Sequence, residues 1–329
     1  MPLYIHLLIL LTLLQIASCT KTPTSPIWNG KADTSWYTTA DTSATEFTIT
    51  TAEQLAGLAK LVNYGNDFKG KTINLGANIM LNDTTYWKYW GVFPVAELSQ
   101  LKEWTPIGYY FGLEFKGNFN GNGYIVSGLY KDKNNFLAYF DIGGDGLDYL
   151  GLFGITNGLI ENLGVTASRI EGQLNIGGLA GYNGVVINKC YFIGKVIGYR
   201  EDMGGLVGGN GGIINSSYSS GTVVGNGKFN TGGLAGYNSG TISNSYSTSY
   251  VKGVYDVGGL VGSNYGTVEN SYFAGAVVGE LVGGNYKKGK VINSYSKSEM
   301  KRKSAVTGWD FENVWGIDSK INNGYPYLR

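Results

Sequence analysis

The stretch GGLAGYNGVVINKCYFIGKVIG, residues 177–198, is followed along the chain by three near copies of itself. They read GGLVGGNGGIINSSYSSGTVVG at 204–225, GGLAGYNSGTISNSYSTSYVKG at 232–253 and GGLVGSNYGTVENSYFAGAVVG at 258–279. A degenerate copy precedes them at 150–165 and a shortened copy follows at 280–296. Equivalent leucines recur after 27, 27, 28, 26 and 21 residues, at Leu152, Leu179, Leu206, Leu234, Leu260 and Leu281. A near-constant period of this kind indicates a solenoid of stacked repeats.

Each copy alternates short β-branched stretches of period two with Gly and Asn pairs, which tolerate the left-handed backbone of tight corners. Three such stretches fit in about 27 residues, so one copy makes one coil of three strands, with equivalent residues about 4.8 Å apart along the axis. The 52 glycines and the missing 3.6-residue apolar period exclude a helical solenoid. The sequence therefore predicts an all-β fold, a right-handed parallel β-helix.

Stacked coils align equivalent side chains in columns, and the sequence predicts five of them. The inward aliphatic columns are Ile160, Ile187, Ile214, Ile242, Val268 and Val291, and Val196, Val223, Val251 and Val277. An aromatic column is Tyr191, Tyr218, Tyr246, Tyr272 and Tyr295, beside a small-residue column of Cys190, Ser217, Ser245, Ser271 and Ser294. A ladder of stacked amides is predicted at Asn162, Asn244, Asn270 and Asn293, interrupted by Lys189 and Ser216.

The ends of the predicted β-helix carry non-repetitive segments. Residues 28–149 hold an N-terminal cap and irregular first coils, with one amphipathic helix that starts at a Thr51/Gln54 capping box and stops at Gly65. Residues 150–303 are the repeats, and residues 304–329 form an aromatic C-terminal cap that plugs the last coil with Trp309, Phe311, Trp315 and Tyr325. Such caps are expected because open sheet edges invite further pairing.

The first 27 residues predict export and lipid anchoring. Residues 3–18 are an apolar run too short for a membrane span, and Ile16, Ala17, Ser18 and Cys19 look like a bacterial lipobox. We expect residues 1–18 to be a lipoprotein signal peptide, Cys19 to be acylated, and residues 19–27 to be a flexible tether. The predicted location is the cell envelope, most simply the outer membrane with the domain surface-exposed, and one partner is the membrane itself.

The scarcity of histidine and cysteine excludes several kinds of catalytic and metal-binding site. The single histidine, His6, lies in the predicted signal, so the mature chain has no imidazole base and no His-ligated zinc or haem. Cys19 and Cys190 are the two cysteines, too few for a disulfide framework. With 25 basic and 24 acidic residues the net charge is +1, which gives no field to recruit nucleic acid. No cofactor is expected.

The repeats resemble the GLUG motif, named for Gly-Leu-any-Gly, of bacterial surface proteins. The motif stands here at 178–181, 205–208, 233–236 and 259–262, and the blocks TAEQLAGLA, WTPIG, FNGNGYIVSGL and NNGYPYL are similar to parts of such lipoproteins. The resemblance implies a right-handed β-helix with an adhesin-like role at the cell surface. The same repeats occur beside IgA-specific metallopeptidases, but the zinc-binding histidines of those enzymes have no counterpart here.

Two clusters are candidate sites. Tyr86, Trp87, Tyr89 and Trp90 could form an aromatic platform for a glycan or a partner protein, or could pack an insertion against the helix flank. Asp141, Asp145 and Asp148 lie in a Gly-rich loop that could gather calcium ligands, although an ordinary inter-coil loop explains them as well.

Paired carboxylates, which a polysaccharide lyase or hydrolase needs, are poorly represented. Glu161 and Glu269 share a column but lie four coils apart, about 19 Å. Asp202 and Asp256 lie two coils apart, about 10 Å, at what the sequence suggests is a solvated turn.

The function predicted is that of a lipid-anchored cell-envelope β-helix with an adhesive or structural role and no catalysis. Its expected partner is a glycan or a protein on a host or neighbouring cell. Two alternatives stay open: a polysaccharide-active β-helix, and a glycan-binding accessory lipoprotein that uses the cluster from Tyr86 to Trp90.

Overall fold

The protein is a right-handed parallel β-helix, as predicted, in a computed structural model that describes residues 25–38, 43–84, 100–132, 149–227, 229–277, 279–296, 300 and 306–329. The segment that holds the predicted signal peptide and Cys19 lies outside the described residues. Among the described residues, no helix has the length and apolar character that crossing a membrane requires.

The elements follow the repeat. The helices are α1 (Ser35–Thr38) and α2 (Ala52–Asn63), and a 3₁₀ turn spans Asn322–Gly324. The strands before the full repeats are β1 (Glu46–Ile49), β2 (Thr72–Leu75), β3 (Ile79–Met80), β4 (Asn118–Asn120), β5 (Ile125–Ser127), β6 (Tyr130–Lys131), β7 (Phe153–Thr156), β8 (Leu159–Glu161) and β9 (Gly164–Ile176). The strands of the repeats are β10 (Ala180–Asn183), β11 (Val186–Asn188), β12 (Tyr191–Gly204), β13 (Val207–Asn210), β14 (Ile213–Asn215), β15 (Tyr218–Gly225), β16 (Thr231–Gly232), β17 (Ala235–Asn238), β18 (Thr241–Ser243), β19 (Tyr246–Ser247), β20 (Tyr250–Lys252), β21 (Val257–Asn264), β22 (Thr267–Glu269), β23 (Tyr272–Phe273), β24 (Ala276–Val277), β25 (Glu280–Asn285), β26 (Lys290–Ile292) and β27 (Tyr295–Ser296). A final hairpin pairs β28 (Trp315–Gly316) with β29 (Tyr327–Leu328).

One face of the solenoid is a parallel sheet of nine described strands, with one strand from each successive coil, in the order β1, β2, β4, β8, β11, β14, β18, β22, β26. Ile187 pairs with Ile160 on one side and with Ile214 on the other, which confirms the predicted column. The column extends into the irregular first coils. Its members are Phe47, Ile73, Phe119, Ile160, Ile187, Ile214, Ile242, Val268 and Val291.

The other two faces join into one sheet instead of forming separate strands in every coil. Strand β12 runs for 14 residues through the corner and pairs with β9, with register shifts between Ile193 and Gly194 and between Gly198 and Glu201. The strand bends at these bulges without breaking its ladder. The predicted valine column is present, because Val223 pairs with Val196 and with Val251, and Val251 pairs with Val277.

The predicted helix is α2. Gln54 N donates to Thr51 Oγ1 at 3.2 Å and Thr51 N donates to Gln54 Oε1 at 3.3 Å, which completes the capping box. The helix ends just before Gly65, whose φ is +102°. Its apolar side joins the core at the N-terminal end of the solenoid. The buried residues of that side are Leu55, Leu58, Ala59 and Val62.

The C-terminal aromatic segment lies along the flank of the last coils and not across the axial end. Trp315 packs 5.8 Å from Tyr272 and 6.1 Å from Tyr246, measured between ring centroids. At the axial end, Val291 is 41% exposed although its neighbour Val268 is fully buried, so no described residue closes the core there. The rings of the cap form a cluster of their own with Tyr246 and Tyr272, apart from the main core that they were predicted to plug.

The motif glycines have a different role from the one predicted. Of the described glycines with positive φ, none is in the motif. One left-handed corner recurs from coil to coil at Asn162, Lys189, Ser216, Asn244, Asn270 and Asn293, with φ between 45° and 53°. The motif positions need glycine for space. A Cβ at Gly233 would lie 2.0 Å from Gly259 O, and one at Gly178 would lie 2.0 Å from the Phe192 ring. Gly-Leu-any-Gly is thus a packing signature, in which the glycines let successive coils touch while the leucine fills the core.

Candidate functional site

Cys190 is structural. It is fully buried at a corner where Cys190 N donates to Ser217 Oγ at 3.1 Å, and Ser217 N donates to Ser245 Oγ at 3.2 Å. Burial raises the pKa of the Cys190 thiol to about 12, which keeps it from acting as a thiolate nucleophile at neutral pH. The predicted small-residue column is therefore a chain of backbone-to-hydroxyl bonds from coil to coil.

A second ladder, which the sequence reasoning missed, runs through the interior. Its members are Asn183, Asn210, Asn238, Asn264 and Asn285. Each Nδ2 donates to the Oδ1 of the next coil, at 2.7, 2.8, 2.8 and 2.9 Å. The asparagines that the sequence reasoning put in a ladder occupy the left-handed corner instead, where Asn244 Nδ2 donates to Asn215 Oδ1 at 3.0 Å. Both sets hold the coils together.

Two files of tyrosines run along the outside, and they differ in what covers them. In the predicted file, the rings of Tyr191, Tyr218, Tyr246 and Tyr272 stack at 4.8 to 4.9 Å and within 10° of parallel. The C-terminal segment covers its far end, where the Tyr272 hydroxyl donates to Pro326 O and accepts from Asn322 Nδ2. This file serves as the docking surface for the chain's own cap.

The second file has no such cover among the described residues, and we call it the tyrosine face: Tyr182, Tyr237, Tyr265 and Tyr286. These residues flank the interior asparagine ladder on its outer side, since Tyr182 and Tyr237 precede a ladder asparagine and Tyr265 and Tyr286 follow one. Tyr265 lies 5.5 Å from Tyr237 and 4.6 Å from Tyr286, the latter pair stacked within 8°. Tyr265 is 43% exposed and Tyr286 is 40% exposed.

One coil lies between Tyr182 and Tyr237, and it has Gly209 in place of a tyrosine. Gly209 pairs with both tyrosines across the ladder. A Cβ at Gly209 would lie 3.0 Å from the Tyr182 ring, and one at Gly211 would lie 2.0 Å from the Tyr182 hydroxyl oxygen. The Tyr182 ring therefore covers Gly209 and Gly211 of the next coil, and Gly209 separates Tyr182 from Tyr237 in the register.

A polar network borders the tyrosine face. Asn230 Nδ2 donates to Asp202 Oδ1 at 2.5 Å, and Ser263 Oγ lies 2.6 Å from both Asn230 Oδ1 and Asp256 Oδ2. The Tyr286 hydroxyl donates to Asp256 Oδ2 at 2.6 Å. The network thus connects two carboxylates from different coils and ends on a ring of the tyrosine face.

The corner geometry brings these acids to the tyrosines. Asp202 and Asp256 have left-handed backbones, with φ of 56° and 43°. Asp202 packs against the last glycine of a GLUG motif, since a Cβ at Gly236 would lie 2.7 Å from the Asp202 carbonyl carbon. Asp256 packs against the equivalent glycine of the shortened copy, where a Cβ at Gly283 would lie 2.4 Å from the Asp256 carbonyl carbon. Gly236 directly precedes Tyr237, so the backbone of Asp202 lies next to the strand that carries this tyrosine.

The pKa values of Asp202, Tyr286 and Tyr182 in this site are shifted, and the causes of the shifts differ. Burial raises the pKa of Asp202 to about 6, against the hydrogen bond from Asn230, and the charge of Glu201 adds to the rise. The hydrogen bond to Asp256 raises the pKa of Tyr286, and burial raises that of Tyr182. The phenols therefore stay protonated and can donate hydrogen bonds. Asp202 is half-buried and hydrogen-bonded, so the prediction of a solvated turn is wrong for this residue.

A concave site lies at the N-terminal cap, away from the tyrosine face. It is a cleft of about 630 Å³ between α2 and the segment around residue 104, and it is lined in part by Trp28, Lys60, Tyr64, Trp104 and Tyr109. The Trp28 and Trp104 rings meet edge to face at 5.8 Å and are both buried. The two tryptophans therefore form the wall of the cleft as core residues, and Tyr64 is the ring that solvent reaches.

The remaining predicted site residues stay untested. Cys19, the aromatic cluster of Tyr86, Trp87, Tyr89 and Trp90, and the acidic loop of Asp141, Asp145 and Asp148 lie outside the described residues. Within the described ranges there is no group of three or more Cys, His, Asp or Glu side chains that could hold a metal ion. Glu161 and Glu269 are in the same outer column and are separated by the coils of Asn188, Asn215 and Ser243.

Comparison with known proteins supports the family resemblance and the fold. Residues 253–279 match the family model of the GLUG motif. A crystal structure described as that of a "putative immunoglobulin A1 protease" from Bacteroides ovatus is similar with a TM-score of 0.53 and 18% sequence identity, over 86% of this chain and 92% of that chain. At that identity the similarity concerns the fold alone. No curated protein matches the chain.

Proposed function

We propose that this chain is a lipid-anchored protein of the cell envelope, attached through Cys19, that acts as an adhesive surface rod without catalysis. The observation that carries the proposal is the tyrosine face. The chain covers the far end of one tyrosine file with its own C-terminal segment, and in the other file it leaves Tyr265 and Tyr286 exposed beside a hydrogen-bonded carboxylate. Exposed aromatic surface of this kind is typical of interaction sites.

The scaffold suits such a role. Both inward columns and the interior asparagine ladder run through successive coils, so the tyrosines are held on a continuous sheet. Their positions are fixed before a partner arrives, which lowers the entropy lost on binding. An adhesive contact then gains from several rings at once, each contributing on the order of 1 kcal/mol.

The test of adhesion uses surface attachment. Cells displaying the full chain are compared with cells displaying a Tyr237→Ala, Tyr265→Ala, Tyr286→Ala variant, on surfaces coated with host or bacterial cell material. Loss of attachment by tenfold or more is expected. Tyr64→Ala is the matched control, since Tyr64 is 85% exposed but lies at the cap. Equal attachment of all three chains would refute the proposal.

The anchor is tested separately. Cys19→Ser is expected to release the protein from the membrane fraction and from the detergent phase, because the thioether site for acyl chains is gone. The same variant should keep its thermal unfolding transition, since the predicted tether precedes the cap. A Cys19→Ser protein that stays in the membrane fraction would contradict lipid anchoring.

One observation favours the polysaccharide-active alternative. The raised pKa of Asp202, about 6, is in the range of a general acid, and Asp256 lies two coils away. A hydrolase or lyase of this kind would release new chain ends from a polysaccharide, and Asp202→Asn would abolish the release. The adhesive proposal expects no release by the wild type.

A further inference from the structure

We infer that the C-terminal end of the solenoid binds an extended segment of another protein, made of alternating acidic and aliphatic residues, as one more strand at the sheet edge. The last coil, residues 280–296, carries this edge on β25, β26 and β27, and we call it the terminal coil. The inference goes beyond the proposed adhesive function, because it concerns the edge of the sheet and not the exposed rings of the tyrosine face.

The terminal coil has unpaired backbone groups. Among the described strands, β25, β26 and β27 each pair with a strand of the preceding coil alone. In β26, Lys290 N donates to Gly266 O at 2.8 Å. Ile292 O accepts from Asn270 N at 3.1 Å, so both residues bond toward the preceding coil. Successive residues of a strand direct their backbone groups to opposite neighbours, so the N–H and C=O of Val291 point to the open side, where an extended polypeptide can pair with them.

The apolar core reaches the surface at the same edge. Val291 is 41% exposed, whereas its neighbour in the inward column, Val268, is fully buried. At the other end of this column Phe47 is 7% exposed, because the rings of Trp36 and Tyr37 pack against it. The described part of the chain therefore covers the first end of the column but not the last. A strand added at the last end would bury an aliphatic side chain over Val291.

The described cap residues lie beside this edge and not on it. Trp309 Nε1 donates to Asn293 O at 2.8 Å, which covers the corner that follows β26. Met300 is fully buried on the flank, in the cap cluster that contains Tyr272 and Trp315. All three residues of β26 stay exposed. The chain's own cap thus stops at the corner, and the strand next to it is accessible.

The charge of the terminal coil indicates which polypeptide fits. Three exposed lysines lie at the turn before β26 and at its first residue: Lys287, Lys288 and Lys290. The ion pairs between described residues use none of them. The acid of this coil, Glu280, lies at the far end of β25. In the preceding coil, Asp256 accepts from the Tyr286 hydroxyl, and Glu269 lies under Ile292. The charges nearest the start of β26 are therefore positive, and they favour an acidic partner.

A second copy of this chain is disfavoured at this edge. Two copies that met at their terminal coils would bring both sets of lysines into one interface, and like charges there weaken association. Lysines on an edge strand commonly prevent such self-pairing. A strand with alternating acidic and aliphatic residues avoids the repulsion. Its aliphatic side chains point inward over Val291, and its carboxylates point outward beside Lys290.

The experiment measures peptide binding by fluorescence anisotropy, with the full chain carrying Cys19→Ser. One labelled peptide alternates Glu and Val, and a second alternates Lys and Val. The third is the Glu–Val peptide with N-methylated amides, which cannot donate backbone hydrogen bonds. The Glu–Val peptide should bind about tenfold or more tighter than either of the others, because only this peptide has both the charge and the backbone donors.

Charge reversal at the edge tests the role of the lysines. The triple variant Lys287→Glu, Lys288→Glu, Lys290→Glu should bind the Lys–Val peptide more tightly than the Glu–Val peptide. The matched control changes the net charge equally at exposed positions of the N-terminal region, with Lys31→Glu, Lys60→Glu, Lys69→Glu. This control should keep the wild-type preference, since its lysines lie far from the terminal coil.

Val291→Pro tests the backbone pairing. Proline removes the N–H that points to the open side and leaves the bonds of Lys290 and Ile292 to the preceding coil. The variant should bind the Glu–Val peptide about tenfold or more weakly than the wild type, with little change in its urea unfolding midpoint. The unfolding measurement separates a lost edge from lost folding.

Absence of Glu–Val binding by the wild type overturns the inference, whether another segment of this chain covers the edge or sedimentation shows a dimer that blocks it. Binding that survives both charge reversal and Val291→Pro overturns it as well. Tyr265→Ala should bind the peptide as the wild type does. Cell attachment that depends on the tyrosines while no peptide binds would therefore support the adhesive role and reject the edge site.

Discussion

Replacing Asn210 by alanine is expected to destabilise the folded chain by about 3 to 5 kcal/mol. Asn210 Oδ1 accepts from Asn183 Nδ2 at 2.7 Å, and Asn210 Nδ2 donates to Asn238 Oδ1 at 2.8 Å. Removal of the side chain loses two bonds worth about 1 kcal/mol each. It also leaves Asn238 Oδ1 buried without its donor, which costs about another 1 to 3 kcal/mol.

The measurement is urea unfolding followed by circular dichroism and by intrinsic fluorescence. The midpoint should fall while the slope with urea stays constant, because the surface exposed on unfolding is unchanged. Asn285→Ala is the matched control at the exposed end of the same ladder, where water can replace the lost bond, and it should cost less than about 1 kcal/mol. Equal effects of the two substitutions, or no effect of Asn210→Ala, would refute the ladder as a source of stability.

Four further substitutions test the asparagine ladder, the packing and the charges. Thr156→Asn should stabilise the chain by about 1 kcal/mol in urea unfolding, because the new amide extends the ladder to Asn183 Oδ1, which is buried and has no partner among the described residues; a loss of stability would contradict this. Gly233→Ala should cost about 3 kcal/mol or more, since its Cβ would meet Gly259 O at 2.0 Å, whereas the outward Gly209→Ala should cost less than about 1 kcal/mol. The pKa of Asp202 rises on folding from 3.8 to about 6, so the stability it contributes in the protonated form is lost as pH rises through that window. Asp202→Asn should therefore gain about 1 to 3 kcal/mol relative to wild type between pH 4 and pH 7, after allowance for partial exposure; a pH-independent difference would contradict the shift.

The sequence predicted the inner columns because the repeat length varies by only a residue or two in its central copies. A fixed period places Ile187, Ile214 and Ile242 at the same point of each coil, and burial of one face leaves little freedom of register. The irregular coils before residue 150 lack the period. Their place in the same column, through Phe47, Ile73 and Phe119, became visible only from strand pairing.

The interior asparagine ladder could have been found from the sequence. Asparagine follows the motif leucine at an offset of four residues in every copy from Leu179 to Leu281. The ladder was predicted at the column of Asn162 and Asn244 instead, although Lys189 and Ser216 interrupt that column. The interruption indicates that this position requires a left-handed backbone, which several residue types can adopt. It does not require a buried hydrogen bond between amides.

The tyrosine face could not be predicted from a single column. Tyr182 and Tyr237 precede the ladder asparagine, whereas Tyr265 and Tyr286 follow it, so an alignment of repeats separates them. The rings come together because side chains on both sides of one buried position project to the same surface. Likewise, the composition of the C-terminal segment predicted an aromatic cap, but its contacts with Tyr246 and Tyr272 became visible only in the structure.

The central claim, that each repeat winds once around a common axis, is tested most directly by thiol cross-linking between repeats. Thr241 pairs with Thr267 in the next coil and with Ile213 in the previous one, and none of the three is buried. In a chain carrying Cys19→Ser and Cys190→Ser, the reagent dibromobimane should bridge Thr241→Cys to Thr267→Cys, which lie about 4.8 Å apart. The pair Ile213→Cys and Thr267→Cys, two coils and about 10 Å apart, should stay unbridged. Bridging of the second pair and not the first would contradict the stacked coils.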